Sequence, residues 1–202
     1  MTTSPFRAVR IGLLRHFAVA QQFPVGWRTA QDLQLWRERY DLAEPSVGEF
    51  DLGGVAWQAC LSSDLPRACI TASAVFRGEI GRTALLREPE FAQFKTGNLR
   101  LPFWAWRWLL RLSWLTGHHS QRTCRDEFRG RVLAVADQLS AVEQDTLVVS
   151  HAGMMAYLSA ELRRRGFVGP KLRIARHATA YIYEKNSAQT ALGNGANRVF
   201  SP

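Results

Sequence analysis

LLRHF, residues 13–17, ends the apolar run AVRIGLL at 8–14 on an arginine and a histidine. A short aliphatic run of this kind reads as a buried strand. The placement of Arg15 and His16 recurs twice further along the chain. VAWQACLSS (55–63) reads as a strand leading into the helix DLPRACITASAVFRG (64–78), which carries Arg67 in its first turn. Asp64 is the expected N-cap of that helix, and Pro66 suits its first turn. DTLVVS (145–150) is a third buried strand, and the helix HAGMMAYLSAELRRRG (151–166) after it opens on His151 and is closed by Gly166.

The segments between complete an alternating pattern. TAQDLQLWRERYDLA (29–43) predicts a helix with Thr29 or Asp32 near its start and Leu33, Trp36 and Tyr40 on one face. EPSVGEFDLGG (44–54) reads as a loop, and RTALLREPEF (82–91) as a short strand running into a loop. A long helix is expected over 120–142, with Phe128, Val132, Val135 and Leu139 at helical spacing. TAYIYEK (179–185) is a last strand, and the polar tail beyond it is expected to be loose. Strands alternating with helices predict a three-layer α/β/α sandwich around a mainly parallel sheet, formed as a single domain over 1–202.

Composition adds limits. The chain has 202 residues, with 26 Lys and Arg against 17 Asp and Glu, for a net charge of +9. That field attracts anions, among them phosphorylated metabolites, nucleic acid and acidic membrane surfaces. The basic residues are scattered apart from RRR at 163–165, so no specific nucleic-acid partner is expected. Cys60, Cys69 and Cys124 form no CxxC pair, and reduced thiols in a cytoplasmic protein are the expectation. Arg7, Arg10 and Arg15 interrupt the N-terminal apolar residues, so no secretory segment is expected.

In an open α/β sheet, ligands bind outside the carboxyl ends of the strands. Arg15, His16, Arg67 and His151, distant in sequence, would meet there beside helix N-termini that favour anions. Such a site suits a tetrahedral dianion, phosphate above all.

The ordered segments LLRHF, LSSDLPRACITA, LLRE and VVSHAG resemble the motifs of the histidine phosphatase superfamily, also called phosphoglycerate mutase-like proteins. Ser63, Arg67, Ala68, Thr71 and Ala72 fit the second motif, and the resemblance runs over roughly residues 9 to 185. It implies that His16 is the nucleophile that forms a phosphohistidine. It further implies that Arg15, Arg67 and His151 bind the phosphoryl oxygens. Arginine's planar, permanently charged fork suits that task. Glu88 in LLRE matches the proton donor to the leaving group, with Glu90 as the fallback. Phosphoryl transfer is mostly positioning and charge stabilisation, so neither a metal nor another cofactor is expected.

The chain departs from the family pattern in three places. Phe17 replaces the glycine of Arg-His-Gly, Ala152 replaces the glycine after the second histidine, and AVAQQFPVGW follows where a Glu-Ser/Thr-x-x-Asn continuation is usual. The last difference argues against mutase activity. The segment NLRLPFWAWRWLLRLSWLTGHH (98–119) holds four of the seven tryptophans, and Arg107 and Arg111 stand four residues apart. It reads as a lid helix, with Phe17, Trp104 and Trp108 as substrate-lid candidates. A self-association surface or a peripheral membrane contact is the competing reading, since Trp and Arg favour membrane interfaces. A lid facing the pocket would imply an apolar or aromatic group beside the phosphate.

His118–His119 lacks Cys or Asp partners for a metal site, and His177, ahead of the last strand, is expected at the surface, with the pocket edge as the alternative. Ser150–His151 is not a hydrolase dyad, because no G-x-S-x-G elbow is present. The expected activity is therefore metal-independent hydrolysis of a small phosphorylated substrate. The alternative is a catalytically weak phospho-ligand or membrane-surface module that keeps the anion pocket.

Overall fold

The computed structural model describes residues 8–185, and the polar tail lies outside them. Among the described residues, seven strands and five α-helices follow in the order β1 (Val9–Arg15), β2 (Trp27–Arg28), α1 (Ala30–Leu42), β3 (Ala59–Ser63), α2 (Pro66–Val75), β4 (Ile80–Thr83), β5 (Leu101–Pro102), α3 (Phe103–Leu115), α4 (Arg122–Ser140), β6 (Thr146–Ser150), α5 (Ala152–Arg164) and β7 (Ala180–Lys185). The main sheet has the order β4-β3-β6-β1-β7. Its first four strands run parallel, and β7 pairs antiparallel with β1 at the edge. β2 and β5 form a separate antiparallel pair that the sequence pattern did not announce.

Strand alternation sends side chains to two faces. Ile11, Leu13 and Val148 pack against Phe128, Val132 and Val135 of α4 and Met154, Met155 and Leu158 of α5. Leu14, Cys60, Leu147 and Val149 pack against Ala68 and Ala72 of α2. The result is the expected three-layer arrangement. β6 is buried at all five positions, as a central parallel strand covered on both faces must be. Asp145 ties the start of β6 to β1, accepting from the Arg10 backbone at 2.9 Å and from its guanidinium at 2.6 Å. Gly12 in β1 lets the Trp57 ring cross the bare backbone, since a Cβ there would stand 2.5 Å from it.

Local signals set the start of α1 and the end of α5. Thr29 and Asp32 form a reciprocal capping box at the start of α1. Gly166, at φ +89°, takes the left-handed turn after α5. Asp64 corrects the expectation made for α2, because Leu65 is the N-cap and no side chain caps that helix. The Asp64 carboxylate instead grips Arg87 with two contacts of 2.7 Å, and that ion pair consumes its acceptors. Among the described residues, no helix is long and apolar enough to cross a membrane.

Phe128 is 1% exposed and meets Trp114 and Tyr157 edge to face. Removing its ring leaves a cavity between α4 and the sheet, so Phe128→Ala should cost about 3–5 kcal/mol in urea unfolding. A loss below about 1 kcal/mol would show that this layer is not well packed.

Candidate active site

The parallel order brings the ends of β1, β3 and β6 to one edge, and the sequence-predicted cationic and imidazole residues gather there. His16 follows β1, Arg67 is in the first turn of α2, and His151 caps α5. All three are buried, with 2%, 1% and 1% of their surfaces exposed. The His16 and His151 ring centroids are 5.0 Å apart. Arg15 is half-buried and donates from Nη1 to the Ala175 carbonyl at 2.9 Å.

A chain of hydrogen bonds fixes His16. Its Nδ1 lies 2.6 Å from the Phe17 carbonyl, an acceptor, so Nδ1 carries the proton and Nε2 keeps a free lone pair. The Phe17 N–H donates to Thr71 Oγ1 at 2.9 Å, and the Thr71 hydroxyl donates to the Arg67 carbonyl at 2.7 Å. Burial, with the charge of Arg67, His177 and Arg15, lowers the His16 pKa to about 3. The imidazole is neutral and oriented. Phe17 needs no glycine-like backbone, because Ala178 is the sole non-glycine residue at positive φ among the described residues.

His151 Nε2 is 3.0 Å from the Ser63 hydroxyl. Burial, then Arg67 and His16, hold its pKa well below the usual 6.5. Its Nδ1 is buried with no protein partner, as are Arg15 Nε and Arg67 Nε. Only one other buried side-chain polar atom among the described residues, Thr96 Oγ1, shares that state. Unpaired buried polar atoms are rare and call for an explanation, and three of these converge on one site.

Glu88 reaches the same place from the segment after β4. Both its carboxylate oxygens accept from the Gly153 N–H, at 3.0 and 3.1 Å, so it caps α5 from outside the helix. Burial raises its pKa above 4.5, against the pull of the Gly153 and Met154 N–H groups and of Arg67 and Arg15. Gly153 must be small, since a Cβ would stand 3.0 Å from Pro89 and 3.1 Å from the Glu88 carboxylate. Arg131 secures the Glu88 backbone, donating to its carbonyl at 3.2 Å. Glu90 is exposed.

A cavity of about 640 Å³ opens in front of Arg67 and Glu88, between α1, α3 and the 88–94 segment. The lid residues are corrected here. Trp104 and Trp108 point outward, 66% and 58% exposed, while Phe103 and Trp106 of the same helix line the cavity. The two inward positions are three apart, and Trp104 and Trp108 share the opposite face four apart. Phe17 is buried and is not among the lining residues.

One participant, Asp41, was not legible beforehand, and His177 takes the alternative position rather than the expected one. His177 is not a surface residue. Its ring is 5.3 Å from that of His16, and its Nδ1–H donates to the His16 carbonyl at 2.7 Å. The antiparallel pairing of β7 with β1 brings it there, since the start of β7 lies at the end of β1. Asp41, at the end of α1, accepts from Arg67 at 3.1 Å, and the Tyr40 ring lies under the same guanidinium at 4.7 Å. His118 and His119 are exposed, with their rings tilted against each other at 4.2 Å. Among the described residues, no three His, Cys, Asp or Glu side chains are grouped to hold a metal.

The family model described as histidine phosphatase superfamily (branch 1) matches residues 34–192. A search of curated proteins gives no match. Solved structures similar to this chain include the mycobacterial glucosyl-3-phosphoglycerate phosphatase, 19% identical with a TM-score of 0.48, over 78% of this chain and 81% of that one. A phosphoserine phosphatase mutant from Entamoeba histolytica, in complex with phosphoserine, is 13% identical with a TM-score of 0.47, over 90% and 98%. The protein histidine phosphatase SixA, complexed with tungstate, is 14% identical with a TM-score of 0.42, over 90% and 99%.

The lowered pKa makes a spectroscopic prediction. A group protonated only near pH 3 is neutral above it, so the His16 imidazole carbon and nitrogen shifts should stay those of the neutral Nδ1–H tautomer from pH 8 to pH 5. A titration centred near 6.5 would contradict the site as described.

Proposed function

This chain is a member of the histidine phosphatase superfamily, branch 1, and from that premise we propose that it hydrolyses a phosphomonoester through a phosphohistidine on His16, without a metal. The observation that carries the reading is the neutral His16, with Nδ1 committed to the Phe17 carbonyl and Nε2 free, beside the unpaired buried atoms of Arg15, Arg67 and His151.

The steps balance as follows. His16 Nε2 attacks phosphorus in line while the bond from phosphorus to the ester oxygen breaks. Arg15 and Arg67 offset the charge on the equatorial oxygens. If the Ser63 hydroxyl donates to His151 Nε2, the His151 proton sits on Nδ1 and donates to the same group. Glu88, whose pKa burial raises, gives its proton to the leaving alcohol oxygen. Its carboxylate then takes a proton from water, the water oxygen attacks phosphorus, and the phosphorus–nitrogen bond breaks. Inorganic phosphate leaves, with His16 neutral and Glu88 protonated again.

Asp41 balances Arg67 in the free protein. It is about one-third exposed, so its hold on the guanidinium is screened by solvent. A phosphoryl dianion brings twice the charge and more acceptors, and it competes for the same donors. Glu88 favours the catalytic reading over a pure binding module, which has no use for a proton donor. The absent Glu-Ser/Thr-x-x-Asn continuation favours hydrolysis over mutase transfer.

Turnover of p-nitrophenyl phosphate in excess EDTA, with an acid-labile phosphoprotein trap, tests this. Wild type should turn over and trap phosphate, and His16→Ala should do neither. Arg67→Ala should lose about 10²–10³-fold in kcat/KM. Glu88→Gln should stay within about threefold on this substrate, whose phenolate hardly needs a proton, yet lose about 10²–10⁴-fold on an alkyl phosphate. Equal losses of Glu88→Gln on both substrates would remove Glu88 from the role of acid. Phosphate binding with no turnover would favour the binding module.

A further inference from the structure

The cavity that Arg67 and Glu88 line has walls that the phosphoryl chemistry does not use. α3 presents Phe103, Trp106 and Leu110 to it, and α1 presents Leu33, Trp36 and Tyr40. None of these six belongs to either buried core cluster among the described residues. On α1 the only buried residue is Ala30, so its apolar face serves the cavity rather than the core.

The walls are ordered as rings. Trp36 meets Phe103 edge to face at 5.2 Å and stacks on Tyr40 at 5.2 Å. Phe94 lies over Trp106 at 6.3 Å. Trp106 is 1% exposed, and its indole N–H donates to the Arg28 carbonyl at 2.7 Å, which anchors α3 to the β2–β5 pair. At about 640 Å³ the space is far larger than the voids of a packed core and falls in the range of ligand pockets.

We propose that the alcohol part of the substrate is a bulky apolar group, seated between the Trp36–Tyr40 face of α1 and the Phe103–Leu110 face of α3. This inference rests on the phosphatase reading of the same site. Against these two faces a polyol's hydroxyls would leave water for carbon and forfeit hydrogen bonds, although Gln34 and Gln93 also line the cavity. A second phosphate fits poorly too. Arg37, which lines the cavity from α1, donates to the Pro89 carbonyl at 3.0 Å and faces Asp41 at 3.8 Å. The Arg107 guanidinium lies over the Phe23 ring at 5.1 Å, and Glu38 and Glu90 share the lining. Tyr40 joins the two halves, with its ring under Arg67 and against Trp36, so the apolar group begins close to the ester oxygen.

The test compares monophosphates of primary alcohols, whose leaving groups are alike in basicity: 2-(1-naphthyl)ethyl phosphate, octyl phosphate, glycerol 1-phosphate and glucose 6-phosphate. An apolar ester should exceed both polyol esters in kcat/KM by at least 30-fold. A lead for the naphthyl ester identifies an aromatic substrate, and a lead for octyl phosphate a lipid-like one. Phe94→Ala and Leu110→Glu should each shrink the apolar-to-glycerol ratio at least tenfold. These two half-buried positions avoid the folding risk of Trp106→Ala. Polyol esters that equal the apolar ones, or a ratio unchanged in both variants, would overturn the proposal.

If nothing is turned over, the phosphatase reading fails by itself, and the pocket is then read by binding. Tryptophan fluorescence titrations would compare 2-(1-naphthyl)ethylphosphonate and octylphosphonate with methylphosphonate. At least tenfold tighter binding of either apolar phosphonate upholds the apolar pocket, and equal binding of all three overturns it.

Discussion

The cost of burying cations and imidazoles together, with no full complement of partners, governs this structure. Arg67 is withdrawn from water almost completely, and one of its nitrogens finds nothing to bind. Desolvated charge of this kind destabilises a fold unless an anion is at hand. The protein meets the cost in part. Asp41 and the carbonyls of Tyr40 and Asp41 accept from the Arg67 guanidinium, and the two histidines shed their protons rather than add charge. What is left over is a set of unpaired polar atoms on Arg15, Arg67 and His151, held by the sheet behind them.

That hold comes from the parallel strands. β1 and β6 run in register, pairing Arg15 with Ser150, so His16 and His151 leave the sheet side by side. The His16 N–H donates to the Ser150 carbonyl at 3.1 Å, carrying the pairing one residue past the strand. From there the Arg67 carbonyl, the Thr71 hydroxyl and the Phe17 backbone pass orientation to the imidazole. The phenylalanine in the place of the usual glycine does not disturb this, because the two groups in use are its N–H and C=O. Any residue able to bury its side chain there could supply them. A Cβ is crowded instead at Gly153, where a carboxylate approaches the helix end.

The sequence disclosed more of the sheet and its edge than of the cavity. Arg15, His16, Arg67 and His151 each follow a strand whose apolar run is visible without a structure, and strand ends in a parallel sheet share an edge. Helix phase was equally visible, which is why Phe128, Val132, Val135 and Leu139 of α4 are all buried as spaced. On α3, phase was insufficient. A helix bearing Trp104, Trp106 and Trp108 is apolar almost all round, and its periodicity does not say which side meets the protein. The Trp106 bond to the Arg28 carbonyl decides it, and that contact spans 78 residues. The place of His177 was left open and Asp41 was hidden for a related reason. The first depends on the antiparallel strand pairing with β1, the second on where α1 ends over α2, and neither pairing leaves a mark in local spacing.

The same distinction separates the two faces of α1. Leu33, Trp36 and Tyr40 recur at helical spacing, a pattern that ordinarily marks a core face. Here the face is only half-buried and stands apart from the core, while α1 is tied down at both ends and, mid-helix, by the Trp36 and Arg37 side chains, which donate to the Gln22 and Pro89 carbonyls at 3.0 Å. The capping box fixes its start, and the Arg67–Asp41 contact fixes its finish. A helix secured in this way can keep an apolar stripe open to a cavity without losing its place. The ion pair that tempers the buried charge of Arg67 therefore also sets the wall of the pocket, and the charge of the site and its shape have one origin.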